Sequence, residues 1–84
     1  MEFKHEANRI YYENTEGKLL AEITFKELNS AVYNIDYTFV DESLQGQGIA
    51  SKLVAESVRS IHEQGRRAVA TCSYAHAWLE RHSK

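Results

Sequence analysis

Proline is absent from this 84-residue chain, cysteine and tryptophan occur once each, and glycine occurs only four times. With no proline and no Gly/Ser-rich stretch, no composition break marks a linker, and the reading is one domain over residues 1–84. A single cysteine cannot close an internal disulfide, so nothing demands an oxidising compartment. No apolar run approaches the roughly 18 residues of a membrane span, and no charged-then-apolar leader opens the chain. The expectation is a cytoplasmic chain without a membrane partner. An excess of one charge is lacking too. Ten Lys and Arg stand against twelve Asp and Glu, and the net charge of −2 gives no basic footprint for nucleic acid. What remains is ordinary for a folded domain: 43% hydrophobic and 26% charged residues, with a core kept small by the chain's length.

Short-period alternation carries the first half. Residues 3–13 form a weak strand region centred on Ile10-Tyr11-Tyr12, with Ala7-Asn8 as a turn before it. Asn14-Thr15-Glu16-Gly17 combines side chains that bond their own backbone with a glycine that tolerates positive φ. Leu19, Ala21, Ile23 and Phe25 then alternate with Leu20, Glu22, Thr24 and Lys26, the period of a strand with one apolar face. Glu27-Leu28-Asn29-Ser30 reads as the next connection. Tyr33, Ile35, Tyr37 and Phe39 alternate with Asn34, Asp36 and Thr38 as a third strand. Three strands joined by short turns predict an antiparallel meander.

The period then changes from two to 3.6. Ile49, Leu53, Val54, Val58 and Ile61 fall on one helical stripe, with Lys52, Glu56, Arg59 and Glu63 mostly elsewhere, as for a helix packed on a sheet. Gly65 stands where a C-terminal cap belongs. Ala68-Val69-Ala70-Thr71 is a short run of strand type, expected to lie parallel to residues 33–40 through a right-handed crossover. Ser73 is placed to cap a last helix, with Tyr74 and Trp78 at i, i+4. The order β-β-β-α-β-α predicts an α+β fold with helices packed on a mostly antiparallel sheet.

Between the third strand and the first helix lies Leu44-Gln45-Gly46-Gln47-Gly48-Ile49-Ala50. Two glycines at such a turn let the backbone approach a ligand closely, and the first helical turn offers unpartnered N–H groups at the positive end of the dipole. Together these make an anion site; a tight turn that merely needs glycine is the plainer reading. Neither the Gly-x-x-x-x-Gly-Lys-Ser/Thr pattern nor the three-glycine dinucleotide fingerprint is present. Gln45-Gly46-Gln47-Gly48-Ile49-Ala50 resembles the Gln/Arg-x-x-Gly-x-Gly/Ala signature of the GCN5-related N-acetyltransferases. With Tyr37-Thr38-Phe39-Val40 before it, Ser51-Lys52-Leu53-Val54 after it and Cys72-Ser73-Tyr74 near the end, the chain is similar to the very short branch of that superfamily (NATD1-like, YjdJ-type).

That resemblance implies a minimal form of the family fold, with residues 33–40 and 68–72 splayed apart around a pantetheine arm. It implies acetyl-CoA (coenzyme A) as the ligand, with pyrophosphate on the backbone of Gln45, Gly46, Gln47, Gly48, Ile49, Ala50 and Ser51 and pantetheine along Phe39 and Val40. The reaction implied is acetyl transfer to an amine acceptor that the sequence does not identify. Asp41 and Glu42 would repel phosphates and are expected to face solvent. The further helices and strands that shape the acceptor pocket of larger members are missing, so the acceptor side is expected to be open or supplied by a partner.

Cys72, Tyr74 and His76 are the candidate catalytic residues. Cys72 stands at the expected strand–helix junction, where a helix N-terminus favours the thiolate, and His76 is expected to face it from the same turn. The plainer reading is a small, buried apolar residue. Cys72, His76 and His82 lack the number and spacing of a zinc site, and no metal is expected. His5, His62 and His82 read as surface residues. Tyr37 stands where similar short domains often carry histidine, and a tyrosine of pKa near 10 is mostly protonated at neutral pH. Asp36 and Tyr74 are the remaining acid–base or positioning candidates. A second reading is a coenzyme A- or acyl-CoA-binding module without efficient turnover. A third, a nucleotide-phosphate binder, rests on the loop alone. The expected assembly is a monomer or weak dimer.

Overall fold

The computed structural model describes residues 2–82. Their order is β1 (Lys4–Glu6), β2 (Arg9–Glu13), β3 (Leu19–Asn29), β4 (Val32–Val40), a 3₁₀ turn (Glu42–Leu44), α1 (Ile49–Glu63), β5 (Arg67–Ala70) and α2 (Ser73–His82). The strands form one sheet in the order β1-β2-β3-β4-β5, antiparallel except for the β4–β5 pair. The fold is α+β, as expected, with one strand more than the sequence suggested. Ala7-Asn8 divides residues 3–13 into a hairpin, so four strands rather than three precede the helix. β1 is exposed along its whole length and has no apolar face, which is why periodicity does not reveal it. Asn8 fastens the turn to β3: its carbonyl accepts from the Phe25 N–H at 3.0 Å, and its Nδ2 donates to the Phe25 carbonyl at 3.0 Å.

The expected turn at residues 14–17 forms as its chemistry requires. Asn14 Oδ1 accepts from the N–H groups of Glu16 and Lys18, both at 2.9 Å, and Gly17 takes φ 83°. The next connection is shorter than the sequence suggested. β3 runs through Glu27, Leu28 and Asn29, leaving Ser30 and Ala31 as the turn, with Asn29 Oδ1 accepting from the Ala31 N–H at 2.7 Å.

A bulge corrects the reading of β4. Thr24 faces Tyr37 and Phe25 faces Ile35, so Asp36 is left without a cross-strand partner. An inserted residue reverses which side chains point to a given face. Tyr33 and Ile35 face the helices as alternation predicts. Beyond the bulge it is Thr38 and Val40, opposite Ile23 and Ala21, that turn to that side, while Tyr37 is 49% exposed. One unbroken alternation over residues 33–39 is therefore wrong.

α1 and α2 both pack into one core, joining Ile10, Ala21, Ile23, Phe25 and Ile35 of the sheet to Ile49, Leu53, Val54 and Ile61 of α1 and Ala75 and Trp78 of α2. Val58, placed on the α1 stripe, is only half-buried, and Ser57 takes a fully buried position with its hydroxyl donating to the Val54 carbonyl at 2.8 Å. Gly65 ends α1 at φ 76°; its N–H donates to His62 O at 2.9 Å and that of Arg66 to Ile61 O at 3.2 Å, the double closure of a Schellman cap. The chain then enters β5, which runs parallel to β4 in the register Val32↔Arg67 to Ile35↔Ala70.

Leu53 is completely buried at the centre of this core. Leu53→Ala is expected to cost about 3 kcal/mol, the loss of burial plus a cavity. A domain of this length holds only roughly 4–13 kcal/mol in total, so urea unfolding should show a large drop in the midpoint.

Candidate functional site

The site begins where the β4–β5 ladder stops. The Ile35 carbonyl accepts both the Thr71 N–H at 3.1 Å and the Cys72 N–H at 3.2 Å, and there the pairing ends. From Tyr37 to Val40, β4 is bonded to β3 on one side and, among the described residues, has no strand on the other. A strand edge left this way offers N–H and C=O groups to a ligand that carries amides of its own.

Past Val40 the chain turns tightly. Asp41 Oδ2 accepts from the Ser43 hydroxyl at 2.7 Å and the Ser43 N–H at 3.0 Å, closing the 3₁₀ turn. Those two bonds hold the Asp41 carboxyl below its ordinary pKa, and they commit its charge to its own turn. Gly46 and Gly48 then take φ 83° and 74°, the left-handed region that costs other residues about 1–2 kcal/mol. A Cβ at either would meet nothing within 4 Å, so backbone conformation, not crowding, demands glycine. Gly48 is also the N-cap of α1 and has no side chain to cap it. The first α-helical bond runs from the Lys52 N–H to the Gly48 carbonyl at 3.1 Å. Among the described residues, no acceptor meets the N–H groups of residues 46–51. Six unpartnered donors thus gather at the positive end of a fifteen-residue helix, the arrangement that holds phosphate groups.

Edge and loop border one cleft of about 450 Å³, walled by Thr38, Phe39 and Val40 on one side and by residues 44–46 and 48–51 on the other, with Tyr74 at its end. That volume suits a small-molecule ligand. Every residue expected to contact the cofactor lines it except Gln47, which lies outside the cleft wall. Leu44 and Thr38 also line it, beyond the residues that the resemblance assigns to the cofactor. The bulge turns Thr38 inward, and no local pattern announces a bulge.

Cys72 meets this cleft through Thr38, its Sγ lying 3.5 Å from Thr38 Oγ1. Cys72, rather than Ser73, takes the cap position of α2: its carbonyl accepts the His76 N–H at 2.9 Å, and the helix starts at Ser73. Burial pushes the thiol up. Hydrogen bonds to the sulfur from the Thr38 hydroxyl and from the N–H groups of Ala75, Tyr74 and Thr38 more than offset this, so its pKa lies below the ordinary thiol value.

His76 does not join it. Its Nε2 lies 3.4 Å from Glu80 Oε2, and among the described residues no hydrogen bond links the ring to Cys72. Four residues of helix separate the two, but a cap side chain folds back over the first-turn N–H groups while His76 points along the helix flank. Tyr74 and Trp78 also part company. Trp78 Nε1 donates to Ser51 Oγ at 2.9 Å and its ring stacks on His82 at 3.8 Å between centroids. Asp36 faces away from the helices and accepts from the Thr24 hydroxyl at 2.6 Å.

A family model described as GCN5-related N-acetyl-transferase matches residues 9–84. The chain belongs to the GCN5-related N-acetyltransferases. Members of this family use acetyl-CoA. The NMR structure of a GCN5-like protein from Staphylococcus aureus is 36% identical, with a TM-score of 0.79 over 96% of this chain and 79% of its own. Two more distant likenesses show the fold alone. A Mycobacterium tuberculosis protein in complex with CoA is 18% identical, with a TM-score of 0.67 over 89% of this acetyltransferase chain and 46% of its own. Tetrahymena GCN5 is 12% identical, with a TM-score of 0.68 over 87% and 48%. The chain thus spans about half the length of these two relatives. No curated protein matches it.

The environment of Cys72 in this acetyltransferase fixes a measurable titration. The pH dependence of alkylation by iodoacetamide should have its midpoint below that of the same cysteine in the urea-unfolded chain. Thr38→Val removes the hydroxyl that does most to favour the thiolate, and should move the midpoint upward. A midpoint unmoved by Thr38→Val would exclude the hydroxyl as its cause.

Proposed function

We propose that this chain transfers an acetyl group from acetyl-CoA to an amine, with the cleft between β4 and the α1 N-terminus as its cofactor site. The Tyr37-Thr38-Phe39-Val40 and Cys72-Ser73-Tyr74 segments support placing it in the short NATD1-like, YjdJ-type branch. One observation carries the cofactor reading: the order of unpaired backbone groups along the cleft. On its open side the β4 edge over residues 37–40 presents the donors and acceptors that β3 does not take, apart from the Thr38 N–H, which the Cys72 sulfur holds, and donors alone gather at residues 46–51. Pantetheine brings amides and the adjoining pyrophosphate brings only acceptors, so the molecule fits that order in one direction. Its thioester end then lies toward Thr38, Cys72 and Tyr74.

In direct transfer the neutral amine nitrogen attacks the thioester carbonyl, the C–N bond forms, the C–S bond breaks, and the coenzyme A thiolate leaves. The proton shed by the nitrogen balances the one the sulfur gains. Tyr74, on the cleft wall, is the side chain we assign to position or protonate that leaving sulfur. Cys72 shapes the thioester end. The covalent alternative moves the acetyl group first to Cys72 and then to the amine. A binding module without efficient turnover is the second reading, favoured by the placement of His76 on Glu80, away from Cys72.

Gly48→Ala and Gly17→Ala make a matched pair, since both positions hold positive φ with open space around them. Each should lose about 1 kcal/mol of stability or somewhat more. Only Gly48→Ala should weaken coenzyme A binding, by about tenfold or more in calorimetry. Equal loss or no loss of binding in the two would count against the loop as the site. Coenzyme A should also protect Cys72 from alkylation. Acetyl-CoA turnover over an amine panel, followed by thiol release and mass spectrometry, separates enzyme from binding module. Initial-rate patterns then separate direct transfer, through a ternary complex, from the ping-pong route through Cys72.

A further inference from the structure

The two edges of the sheet are built differently. β1 is three residues long and carries Lys4, His5 and Glu6, the short, charged edge that resists pairing with another chain. β5 has no such protection. Between Arg67 and Thr71 it offers only Ala68, Val69 and Ala70, with no charge, proline or bulge. The Arg67 N–H donates to Ala31 O at 2.8 Å and that of Thr71 to Ile35 O at 3.1 Å. In a parallel ladder alternate residues bond the neighbour, so the N–H and C=O groups of Ala68 and Ala70 point away from the sheet.

We propose that this edge joins a second copy of the chain, with β5 pairing antiparallel to the partner's β5 about a twofold axis at Val69. The pattern of outward groups is self-complementary. Ala68 of each copy faces the partner's Ala70, and residues directly opposed in this way exchange both of their hydrogen bonds. Every outward group of the edge is then satisfied. A four-residue strand pair alone is smaller than a stable interface needs. The helix side of the same edge supplies more apolar surface, a groove floored by Ala68 and Ala70 and walled by Val58, His62, Trp78 and Leu79.

Charge fixes the choice of a second copy as the occupant. On the face away from the helices, Arg67 pairs with no described carboxylate and Asp36 with no described cation. The twofold register sets Arg67 opposite the partner's Thr71. Thr71 accepts from Asn34 Nδ2 at 3.0 Å on that same face and lies beside Asp36 on the neighbouring strand. Arg67 and the partner's Asp36 are thereby about two strand spacings apart, roughly 10 Å between Cα atoms, within the joint reach of the two side chains once Asp36 swings from the Thr24 hydroxyl toward β5. The axis makes this pair twice.

Sedimentation velocity over a concentration series tests the interface on the intact chain. The parent should sediment at twice the monomer mass at high concentration. Ala70→Pro removes an N–H that β4 does not use, so the fold should persist by circular dichroism while the dimer is lost. Arg67→Glu should raise the dissociation constant about tenfold or more, since like charges then meet across the axis. Combining Arg67→Asp with Asp36→Arg should restore association. A parent that stays monomeric up to about 1 mM overturns the proposal, as does a folded Ala70→Pro variant that still dimerises. Should the proline variant fail to fold, unchanged association of Arg67→Glu overturns it equally.

Discussion

The parting of β4 from β5 after Ile35 is the constraint on which the site depends. A parallel pair that continued to Val40 would close the sheet and consume the edge that the cleft requires. Two local features end it. The bulge at Asp36 turns the second half of β4, and the Ile35 carbonyl takes two donors at once as the chain leaves for α2. Thr38 becomes an inward residue by the first of these and Cys72 is delivered beside it by the second, so one departure from regular geometry brings the two together at this end of the cleft.

The glycine loop works with this opening. α1 starts beside the free edge of β4 because the crossover must return over the sheet to begin β5. Its uncapped N–H groups therefore continue the line of polar backbone begun at residue 37. The core beneath keeps that line rigid. Ile49, Leu53 and Val54 pin the first turns of α1 against Ala21 and Ile23, and Trp78 holds Ser51 from α2.

Much of this was legible from the residues. The stripe from Ile49 to Ile61 and the glycine at residue 65 gave α1 with its limits, because burial and capping are local in sequence. Gly46 and Gly48 pointed to the loop for the same reason. What stayed hidden was decided by distant partners. β1 has no apolar face and exists because Asn8 bonds Phe25. The bulge depends on how β3 and β4 register over a long hairpin, and unbroken alternation puts Thr38 on the wrong face. Cys72 was singled out, but the hydroxyl that lowers its pKa comes from a residue 34 positions earlier. His76 was paired with Cys72 on spacing alone, and the flank of α2 gave it to Glu80 instead.

The absence of a side-chain cap at Gly48 has a thermodynamic side. A serine or aspartate there would have completed the helix within the chain; glycine leaves its first amides waiting for an outside acceptor. An anion that settles on them finishes a piece of secondary structure as well as filling a site. Any ligand held by the folded chain and not by the unfolded one raises stability with the logarithm of its concentration. In a domain whose stability is marginal by size, the persistence of the fold is then tied to the supply of the molecule that completes its helix.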